Sequence, residues 1–362
     1  MATHPFAVDR LTDFATALFA AAGMEHAKAE VVGRLLVLTD MLGRRTHGLA
    51  MAPTYLAEIE KGGMRVAGEP EVIKDTGATV VWDGDYLPGL WLMNRAIELA
   101  LPRAAELGVV SMAIRKCHHI GCLAALVKQA ADRGFVAIIA NSEPSAARTA
   151  PYGGTEAIFT PNPFAIGYPG ADHPVLVDIS ASITTTSMTR QKYTAGEQFE
   201  HPWLLDAQGV PTRDPAVLEH EPKGSLQLIG GQEYGHKGFG LALMVEALSQ
   251  GLSGYGRADA PKRWGGNVFL QVLDPELFAG RAEFEHQMNQ LSDRCRASRP
   301  IRADRPVRMP GDQAARSIVD AAKNGITYTD ATWQAIGNWA DRLRVSVPAA
   351  RSPSDITQRM KP

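Results

Sequence analysis

The stretch from Val109 to Ala140 constrains the fold more than any other part of this 362-residue chain. Residues 109–114 form a short apolar run that predicts a buried strand. Residues 123–132 follow helical spacing, and residues 135–140 predict a second buried strand. A strand, a helix and a strand in this order are typical of a βαβ unit. We therefore expect a parallel or mixed sheet with helices packed against it.

The rest of the chain supplies further elements of both kinds. Apolar residues at helical spacing predict helices over 9–23, 25–42, 90–106, 238–250 and about 311–344, and a further helix through Tyr55, Leu56 and Ile59 that stops at Gly62-Gly63. Short apolar stretches predict two strands joined by a turn within 71–85, and single strands over 175–179 and 268–272. The loop region 141–174 is rich in proline and glycine, and long loops inside a compact domain are more often functional than accidental.

Composition excludes several classes of protein. The chain has 37 basic and 39 acidic residues, and it contains no long basic run of the kind that binds nucleic acid. No segment has 18 consecutive apolar residues, and the first 24 residues do not resemble a signal peptide. The three cysteines, an odd and low count, argue against a disulfide framework. We therefore expect a cytoplasmic protein that binds neither membranes nor nucleic acid.

Familiar cofactor and metal motifs are missing. There is no GxGxxG, no phosphate-binding Gly-x4-Gly-Lys-Ser/Thr and no Gly-x-Ser-x-Gly elbow. The cluster Gly235–Gly240 contains Lys237 and is either an anion site at a helix start or a place where Gly238 and Gly240 allow close packing. Residues 117–122 contain two cysteines and two histidines, but no second ligand pair completes a zinc site, so we expect no metal.

Two histidines are the strongest candidates for catalysis. His47 lies in the segment Arg44–Leu49 and His119 lies in the segment Cys117–Gly121, each close to a glycine and at the end of a predicted element. Histidine is the usual general acid or base near neutral pH. The alternative interpretation is that each is a surface or core residue with satisfied hydrogen bonds.

Seven motifs in one order resemble the non-Rossmann malate/L-lactate dehydrogenase family, which includes ureidoglycolate, sulfolactate and 2,3-diketogulonate oxidoreductases and piperideine-2-carboxylate reductases. The resemblance extends over about residues 9–345. The motifs are Thr46-His47-Gly48, His118-His119-Ile120-Gly121, Thr160-Pro161-Asn162-Pro163, Asp178-Ile179-Ser180-Ala181-Ser182, the segment from Asp206 to Pro215, the segment from His236 to Leu241, and Met309-Pro310-Gly311-Asp312.

The resemblance implies a fold and an assembly. It implies an α/β (α+β) fold with a mixed central sheet, flanking helices and a helical domain built from the N- and C-terminal segments. We expect an N-terminal helical segment over 1–75, a cofactor- and substrate-binding core over 76–300, C-terminal helices over 301–347 that pack back on the N-terminal segment, and a flexible tail over 348–362. The resemblance also implies a homodimer.

The resemblance also implies site residues and a nicotinamide cofactor, NAD or NADP. His47 would be the acid/base, with Thr46 and Asp178 hydrogen-bonding around it, and His119 would lie against the cofactor and the substrate. In some relatives the histidine equivalent to His119 is the base, so the division of roles between the two histidines stays open. The other cofactor-binding residues would be Tyr168, Pro169, Gly170, Lys237, Pro310 and Gly311.

Three departures from the family pattern concern the substrate. Relatives commonly have a carboxylate-binding arginine four residues after the first-motif histidine, where this chain has Met51. A thioether cannot replace a guanidinium in clamping a carboxylate. Pro161 replaces the threonine of the family's Gly-Thr-Asn-Pro motif, and Thr46 replaces serine. The missing cation would come from Arg44, Arg45 or Arg148.

The leading hypothesis is a NAD(P)-dependent oxidoreductase that acts on a small 2-hydroxy/2-oxo acid or a related substrate. Met51 motivates an alternative, a cyclic imine reductase or a secondary-alcohol dehydrogenase whose substrate lacks the usual carboxylate contact. A catalytically silent binding protein is a third hypothesis. Retention of His47, His119 and Asp178 argues against it, because a binding protein has no need of a proton relay.

Overall fold

The computed structural model describes residues 5–350. The helices are α1 Val8–Ala21, α2 His26–Met41, α3 Ala52–Glu60, α4 Gly89–Leu107, α5 Leu123–Ala131, α6 Thr186–Thr194, α7 Gly231–Glu246, α8 Arg281–Ala297, α9 Asp312–Asn324 and α10 Asp330–Leu343. The strands are β1 Glu71–Asp75, β2 Thr79–Asp83, β3 Val109–Cys117, β4 Val136–Ser142, β5 Pro163–Tyr168, β6 Val175–Ser180, β7 Leu204–Leu205, β8 Pro211–Thr212, β9 Ser225–Leu226 and β10 Gly266–Leu273.

A seven-stranded sheet in the order β1-β2-β3-β10-β4-β5-β6 forms the centre of the molecule. Strands β2 and β3 are parallel, and the other neighbouring pairs are antiparallel. The predicted mixed α/β fold is therefore confirmed. Strands β3 and β4 do not pair with each other, because β10 lies between them: Leu270 is in register with Met112 on one side and with Ile139 on the other. The parallel crossover is instead β2-α4-β3.

Helices α4 and α5 cover one face of this sheet. Leu92, Ala96 and Ala100 recur at helical spacing along α4 and are buried, as the sequence pattern predicts. Helix α5 packs on β4, β5 and β6, and its Ala125 and Val127 belong to the same core. Close packing leaves no room for a side chain at Gly167 of β5, where a Cβ would lie 2.9 Å from the Cβ of Val127.

The N-terminal and C-terminal segments pack together. Phe6 and Ile326 exchange two backbone hydrogen bonds of 2.9 Å, and the ring of Phe6 stacks on Trp333 with centroids 4.0 Å apart. Helix α10 contacts α1 and α3, and α9 contacts α2. One hydrophobic core nevertheless continues from α1 and α2 through the sheet. The division into domains stays a prediction, and most of the predicted tail lies outside the described residues.

Several elements differ from the sequence prediction. The pattern missed α6 and α8, which have one buried residue each, Thr189 and Ser292, and therefore carry no apolar stripe. Helix α7 begins at Gly231 rather than Gly238, although the backbone at Tyr234 (φ −120°, ψ 15°) interrupts the helical conformation. Strands β8, β7 and β9 form a second, small sheet. Within residues 5–350 the longest apolar helical stretches are too short or too polar to cross a membrane.

Candidate active site

His47 lies in a short 3₁₀ turn, Arg45–His47, directly after α2. Gly43 adopts a positive φ of 79°, which ends α2 and turns the chain. The amide of His47 donates to the carbonyl of Arg44 at 2.9 Å, and its Nδ1 is 2.9 Å from the hydroxyl of Thr46. With Nδ1 occupied by Thr46, Nε2 is the atom left for a reacting group.

His119 follows the end of β3, and its Nδ1 has two neighbours. The hydroxyl of Tyr55 is 2.6 Å away, and the amide of Gly121 donates to the same nitrogen at 3.4 Å. A backbone amide can only donate, so this contact favours an unprotonated Nδ1 and a neutral ring with its proton on Nε2. Burial, with the nearby charges of His47 and His118, lowers the pKa of His119 to about 3. His119 is therefore a neutral hydrogen-bond donor at neutral pH.

The two histidines from distant parts of the chain meet. Their ring centroids are 6.1 Å apart, and the rings are inclined by 24°. Burial lowers the pKa of His47, whereas the charge of Asp178 raises it and the charge of Arg44 lowers it. The carboxylate of Asp178 partly offsets the burial of His47, so this ring takes up a proton more readily than His119.

Asp178 lies on β6, at the N-terminal end of α5. Its Oδ2 accepts hydrogen bonds from the amide of Ala124 at 2.9 Å and from the thiol of Cys122 at 3.5 Å. A helix N-terminus stabilises a carboxylate. The family resemblance implies a hydrogen bond between Asp178 and His47. Instead, the hydrogen bonds of Asp178 to described residues go to the α5 end, and its effect on His47 is through charge.

Three aromatic or acidic residues that the sequence reasoning missed complete the surroundings of His119. Tyr55 is fully buried, which raises the pKa of its hydroxyl and keeps it a donor. Trp264 stacks on His119 with centroids 5.4 Å apart and an angle of 29°. The carboxyl group of Glu143 forms hydrogen bonds with the side chains of Ser145 and Trp264, and its burial raises its pKa. These residues carry no local motif, so only the folded chain identifies them.

His118, the neighbour of His119, is a packing residue. Its side chain is fully buried, and within the described residues neither ring nitrogen has a hydrogen-bond partner. The ring meets Trp264 edge-on at 4.7 Å and lies 3.7 Å from the carboxylate of Glu58. Burial lowers the pKa of His118 to about 3, so its ring is neutral. Of the two adjacent histidines in the motif, His118 packs in the interior and His119 faces His47.

The residues predicted to bind the cofactor fall into two groups. One group lies at the hairpin between β5 and β6, where Tyr168 pairs with Val175 and the amide of Leu176 donates to the carbonyl of Pro310 at 3.1 Å. Gly311, with φ of 107°, packs so closely that a Cβ would lie 2.6 Å from the carbonyl oxygen of Pro174. This group contains Tyr168, Pro169, Gly170, Pro310 and Gly311.

Lys237 lies apart from that group, beyond the other end of β6. Its ammonium is exposed and lies 5.1 Å from the ring of Tyr234. The glycines around it have different roles. A Cβ at Gly238 would lie within 2.9 Å of backbone atoms of Ile229 and Ala181, whereas a Cβ at Gly240 would meet nothing within 4 Å. The close-packing interpretation therefore holds for Gly238 and fails for Gly240.

The three candidate arginines have different surroundings. Arg45 donates to the carbonyl and hydroxyl of Thr327, and Arg148 donates to the carbonyl of Ala147 at 2.8 Å. The charge of Arg148 acts on Glu143. Arg44 is exposed and pairs with no acid among residues 5–350, and its charge reaches His47. Met51 lies half-buried against the hydrophobic core.

A cavity found in the structure lies apart from the two histidines. Its volume is about 1160 Å³, and it is lined by α1 and by residues 345–350, with none of the predicted site residues among its walls. Among residues 5–350, no group of three or more histidine, cysteine or acidic side chains is arranged to hold a metal ion. The three cysteines are free thiols. The histidine pair, rather than a cavity or a metal cluster, marks the candidate site.

Comparison with known proteins agrees with this geometry. A family model described as malate/L-lactate dehydrogenase matches residues 6–337. Hydroxycarboxylate dehydrogenase B of Escherichia coli (strain K12) is 30% identical over 348 residues, 94% of each chain. The (2R)-3-sulfolactate dehydrogenase (NADP(+)) of Chromohalobacter salexigens is 35% identical over 242 residues, 66% of this chain and 69% of that one. The crystal structure of delta1-piperideine-2-carboxylate reductase from Pseudomonas syringae pvar. tomato has a TM-score of 0.82 and 25% identity, covering 93% of this chain and 100% of that chain.

The fold and these similarities place the protein among the hydroxy-acid dehydrogenases and reductases, a class of oxidoreductases. The chain belongs to the malate/L-lactate dehydrogenase family. The resemblance drawn from the seven motifs is thereby confirmed. Dehydrogenases of this family use nicotinamide cofactors, NADP in the case of the Chromohalobacter relative.

Proposed function

We propose that the protein is a NAD(P)-dependent dehydrogenase that interconverts a 2-hydroxy acid and the corresponding 2-oxo acid, with His47 as the acid/base. The observation that carries this proposal is the pairing of His47 with His119. His119 is held neutral as a donor by Tyr55 and Gly121. Nε2 of His47 has no hydrogen-bond partner among residues 5–350, and the charge of Asp178 favours its protonated form.

The residues present fit a nicotinamide. The stacked rings of His119 and Trp264 offer a flat surface to a planar heterocycle, and the exposed Lys237 offers a cation to a phosphate. Tyr168, Pro169, Gly170, Pro310 and Gly311 would bind a more distant part of the dinucleotide. The bound cofactor supplies or accepts the hydride at the substrate carbon.

The protein residues handle the proton. In the reducing direction, His47 gives the proton on Nε2 to the substrate oxygen as the carbonyl carbon gains the hydride. In the oxidising direction, His47 takes the hydroxyl proton from the same oxygen. His119 donates Nε2–H to the substrate and orients it. Thr46 accepts from Nδ1–H of protonated His47, which holds the ring in place.

Arg44 is the arginine best suited to meet the substrate carboxylate. It lies next to the His47 turn, it pairs with no acid among residues 5–350, and its charge reaches His47. Arg45 and Arg148 are engaged elsewhere. We therefore assign the substrate-binding role to Arg44 with Met51 as an apolar neighbour, in place of Arg148.

Met51 also supports a second candidate function, reduction of a cyclic imine or of a ketone without an exposed carboxylate. The thioether lies half-buried on the core and offers no charge to a substrate. The similarity to the piperideine-2-carboxylate reductase structure supports an imine as the reacting group, whereas the absence of a carboxylate rests on Met51 alone. His47 would then protonate an imine nitrogen instead of an oxygen.

One experiment tests the cofactor and the reaction together. Nicotinamide absorbance is followed with NADH and NADPH against keto acids, cyclic imines and uncharged ketones, and binding of both cofactors is measured by calorimetry. If neither cofactor binds, the proposal is wrong, and the hypothesis of a catalytically silent binding protein remains. Turnover with cyclic imines and none with keto acids would select the second candidate.

The role of His47 is tested by substitution. His47→Ala is expected to lower kcat by about 100-fold or more and to leave cofactor affinity unchanged, as loss of a general acid does. His201→Ala, at an exposed histidine, is the control. Near wild-type activity in His47→Ala, together with an inactive His119→Ala, would transfer the role to His119.

We also propose a homodimer and a cytoplasmic location. The outer face of α7 and the turn after it carry exposed Leu243, Met244 and Leu252, with exposed fractions of 47%, 39% and 56%. Apolar side chains grouped in this way mark an association surface. Leu243→Glu is expected to reduce the mass measured by light scattering to that of one chain, and an unchanged mass would exclude this face. Three free thiols support a reducing compartment.

A further inference from the structure

The turn that carries His47 is held on both sides by two adjacent residues from the other end of the chain. Before His47, the guanidinium of Arg45 donates to the carbonyl and the hydroxyl of Thr327. After it, the amide of Leu49 donates to Oδ2 of Asp40 at 2.9 Å, and the hydroxyl of Tyr328 donates to the same oxygen at 2.7 Å. The partners are separated by more than 280 residues in sequence.

Asp40 lies directly beneath the turn. Its side chain is buried, with 2% of the residue exposed, and a Cβ at Gly48 would lie only 1.9 Å from its Oδ1. Within the described residues Oδ1 has no hydrogen-bond partner. The chain after His47 therefore rests on a carboxylate, and only glycine fits at that position.

A buried carboxylate opposes folding unless its charge is compensated. Burial raises the pKa of Asp40 to about 6, although Leu49, Tyr328 and Arg45 each act to lower it. Buried groups with strongly shifted pKa values are concentrated at functional sites, and Asp40 is such a group beside the His47 turn.

We propose that Asp40, Arg45 and Tyr328 form a positioning unit that sets the His47 imidazole relative to His119. The proposal rests on the assignment of His47 as the acid/base. None of the three residues contacts the reacting atoms; they act through the backbone on either side of His47. Proton transfer depends steeply on geometry, and a displacement of about 1 Å can lower a rate by about 100-fold. The C-terminal segment between α9 and α10 thus takes part in catalysis at a distance.

The test compares three variants. Tyr328→Phe removes one hydrogen bond to Asp40, and Arg45→Ala removes the contact with Thr327 at an exposed position. Thr329→Ala is the matched control: it removes the N-cap of α10, where the Thr329 hydroxyl accepts from the amide of Thr332, without touching the His47 turn. The loss of an N-cap hydrogen bond lowers the stability of a helix.

The expected result is a loss of kcat by about 10-fold or more in Tyr328→Phe and Arg45→Ala, with the affinity for cofactor unchanged. Thr329→Ala is expected to lower the melting temperature and to keep the wild-type kcat. If all three variants lose activity in proportion to their melting temperatures, the contacts are merely structural and the proposal is wrong.

A second readout does not depend on turnover. The pKa of His47, measured by NMR titration of its ring protons, is expected to change in Tyr328→Phe, a neutral substitution, and to stay unchanged in Thr329→Ala. An unchanged pKa in Tyr328→Phe together with a wild-type kcat would overturn the proposal. A wild-type protein without nicotinamide-dependent turnover would instead overturn the proposed function, while the NMR titration would still report on the positioning unit.

Discussion

The two histidines of the candidate site illustrate how surroundings divide roles between identical side chains. His119 has its Nδ1 engaged by Tyr55 and Gly121, and burial keeps it neutral. His47 has a carboxylate and a guanidinium whose charges act on it in opposite directions. Burial is the largest influence on His47 and lowers its pKa, and the carboxylate of Asp178 acts against that lowering.

The opposing charges around His47 lead to a prediction about pH dependence. In the reducing direction His47 must carry a proton, so the rate falls as pH rises through its pKa. Asp178→Asn removes the charge that raises this pKa, and the fall is expected to move to lower pH. Arg44→Ala removes a charge that lowers the pKa of His47, and the decrease in rate is expected to move to higher pH. Profiles of kcat against pH that shift in the same direction in both variants would contradict this account.

A prediction about substrate choice concerns Met51. Met51 itself offers no cation, so a substrate carboxylate beside it loses water and depends on Arg44 alone for a compensating charge. Met51→Arg is expected to raise kcat/KM for pyruvate and oxaloacetate relative to an uncharged ketone by about 10-fold, the effect of about 1.4 kcal/mol of added transition-state binding. Met51→Leu, which keeps the apolar surface, is the control. A native enzyme that already prefers oxaloacetate would show that this interpretation of Met51 is wrong.

At the scale of elements, close approaches of the backbone explain why certain glycines are required. Helix α7 packs against the backbone of Ile229 and of Ala181, the residue after β6, and Gly238 is the residue at the contact. Gly240 lies two residues further, on the exposed face with Leu243. The two glycines look equivalent in the sequence, but the tertiary contact distinguishes them.

This pair yields a prediction about stability. Gly238→Ala is expected to destabilise the protein, because the added Cβ would lie within 2.9 Å of three backbone atoms that are not free to move. Gly240→Ala has open space and is expected to stabilise the helix by up to about 1 kcal/mol. Denaturant midpoints of the two variants measure the difference. Equal destabilisation by both would mean that Gly240 has a contact of its own, for example in a dimer.

At the scale of the whole molecule, the two ends of the chain close on each other and on the site. Phe6 pairs with Ile326 and stacks on Trp333, and Tyr328 reaches Asp40 beneath the His47 turn. The C-terminal helices therefore support the site as well as the core. A buried carboxylate at this junction makes the stability of the whole fold sensitive to pH.

The expected sensitivity has a definite sign. The pKa of Asp40 is raised from 3.8 to about 6 in the folded protein, so the folded state binds more protons than the unfolded state in that range. The contribution of Asp40 to stability consequently falls as pH rises from about 4 to about 6, by about 3 kcal/mol in total. Asp40→Asn is expected to reduce this dependence. Melting temperatures of both proteins from pH 4 to pH 7 test it, and parallel curves would exclude it.

The sequence alone determined the elements that have a strong local signal. The apolar runs at β3, β4 and β6 and the stripe along α4 follow from side-chain periodicity, and the seven motifs in their order identified the family. The pattern could not identify α8, because a mostly exposed helix has no apolar stripe to reveal it. It also could not show that β10 separates β3 from β4, since strand order depends on contacts between distant segments.

The tertiary structure decided which residues surround the histidines. Tyr55 and Trp264 fix His119, and Asp40 and Tyr328 support the turn of His47, yet none of these four has a motif. The structure also separated three arginines that the sequence leaves equivalent, because hydrogen bonds engage Arg45 and Arg148 elsewhere and leave Arg44 beside His47. The local sequence specifies the backbone conformation and which side chains of an element are buried. Hydrogen bonds between residues hundreds of positions apart form only when the folded chain brings those residues together.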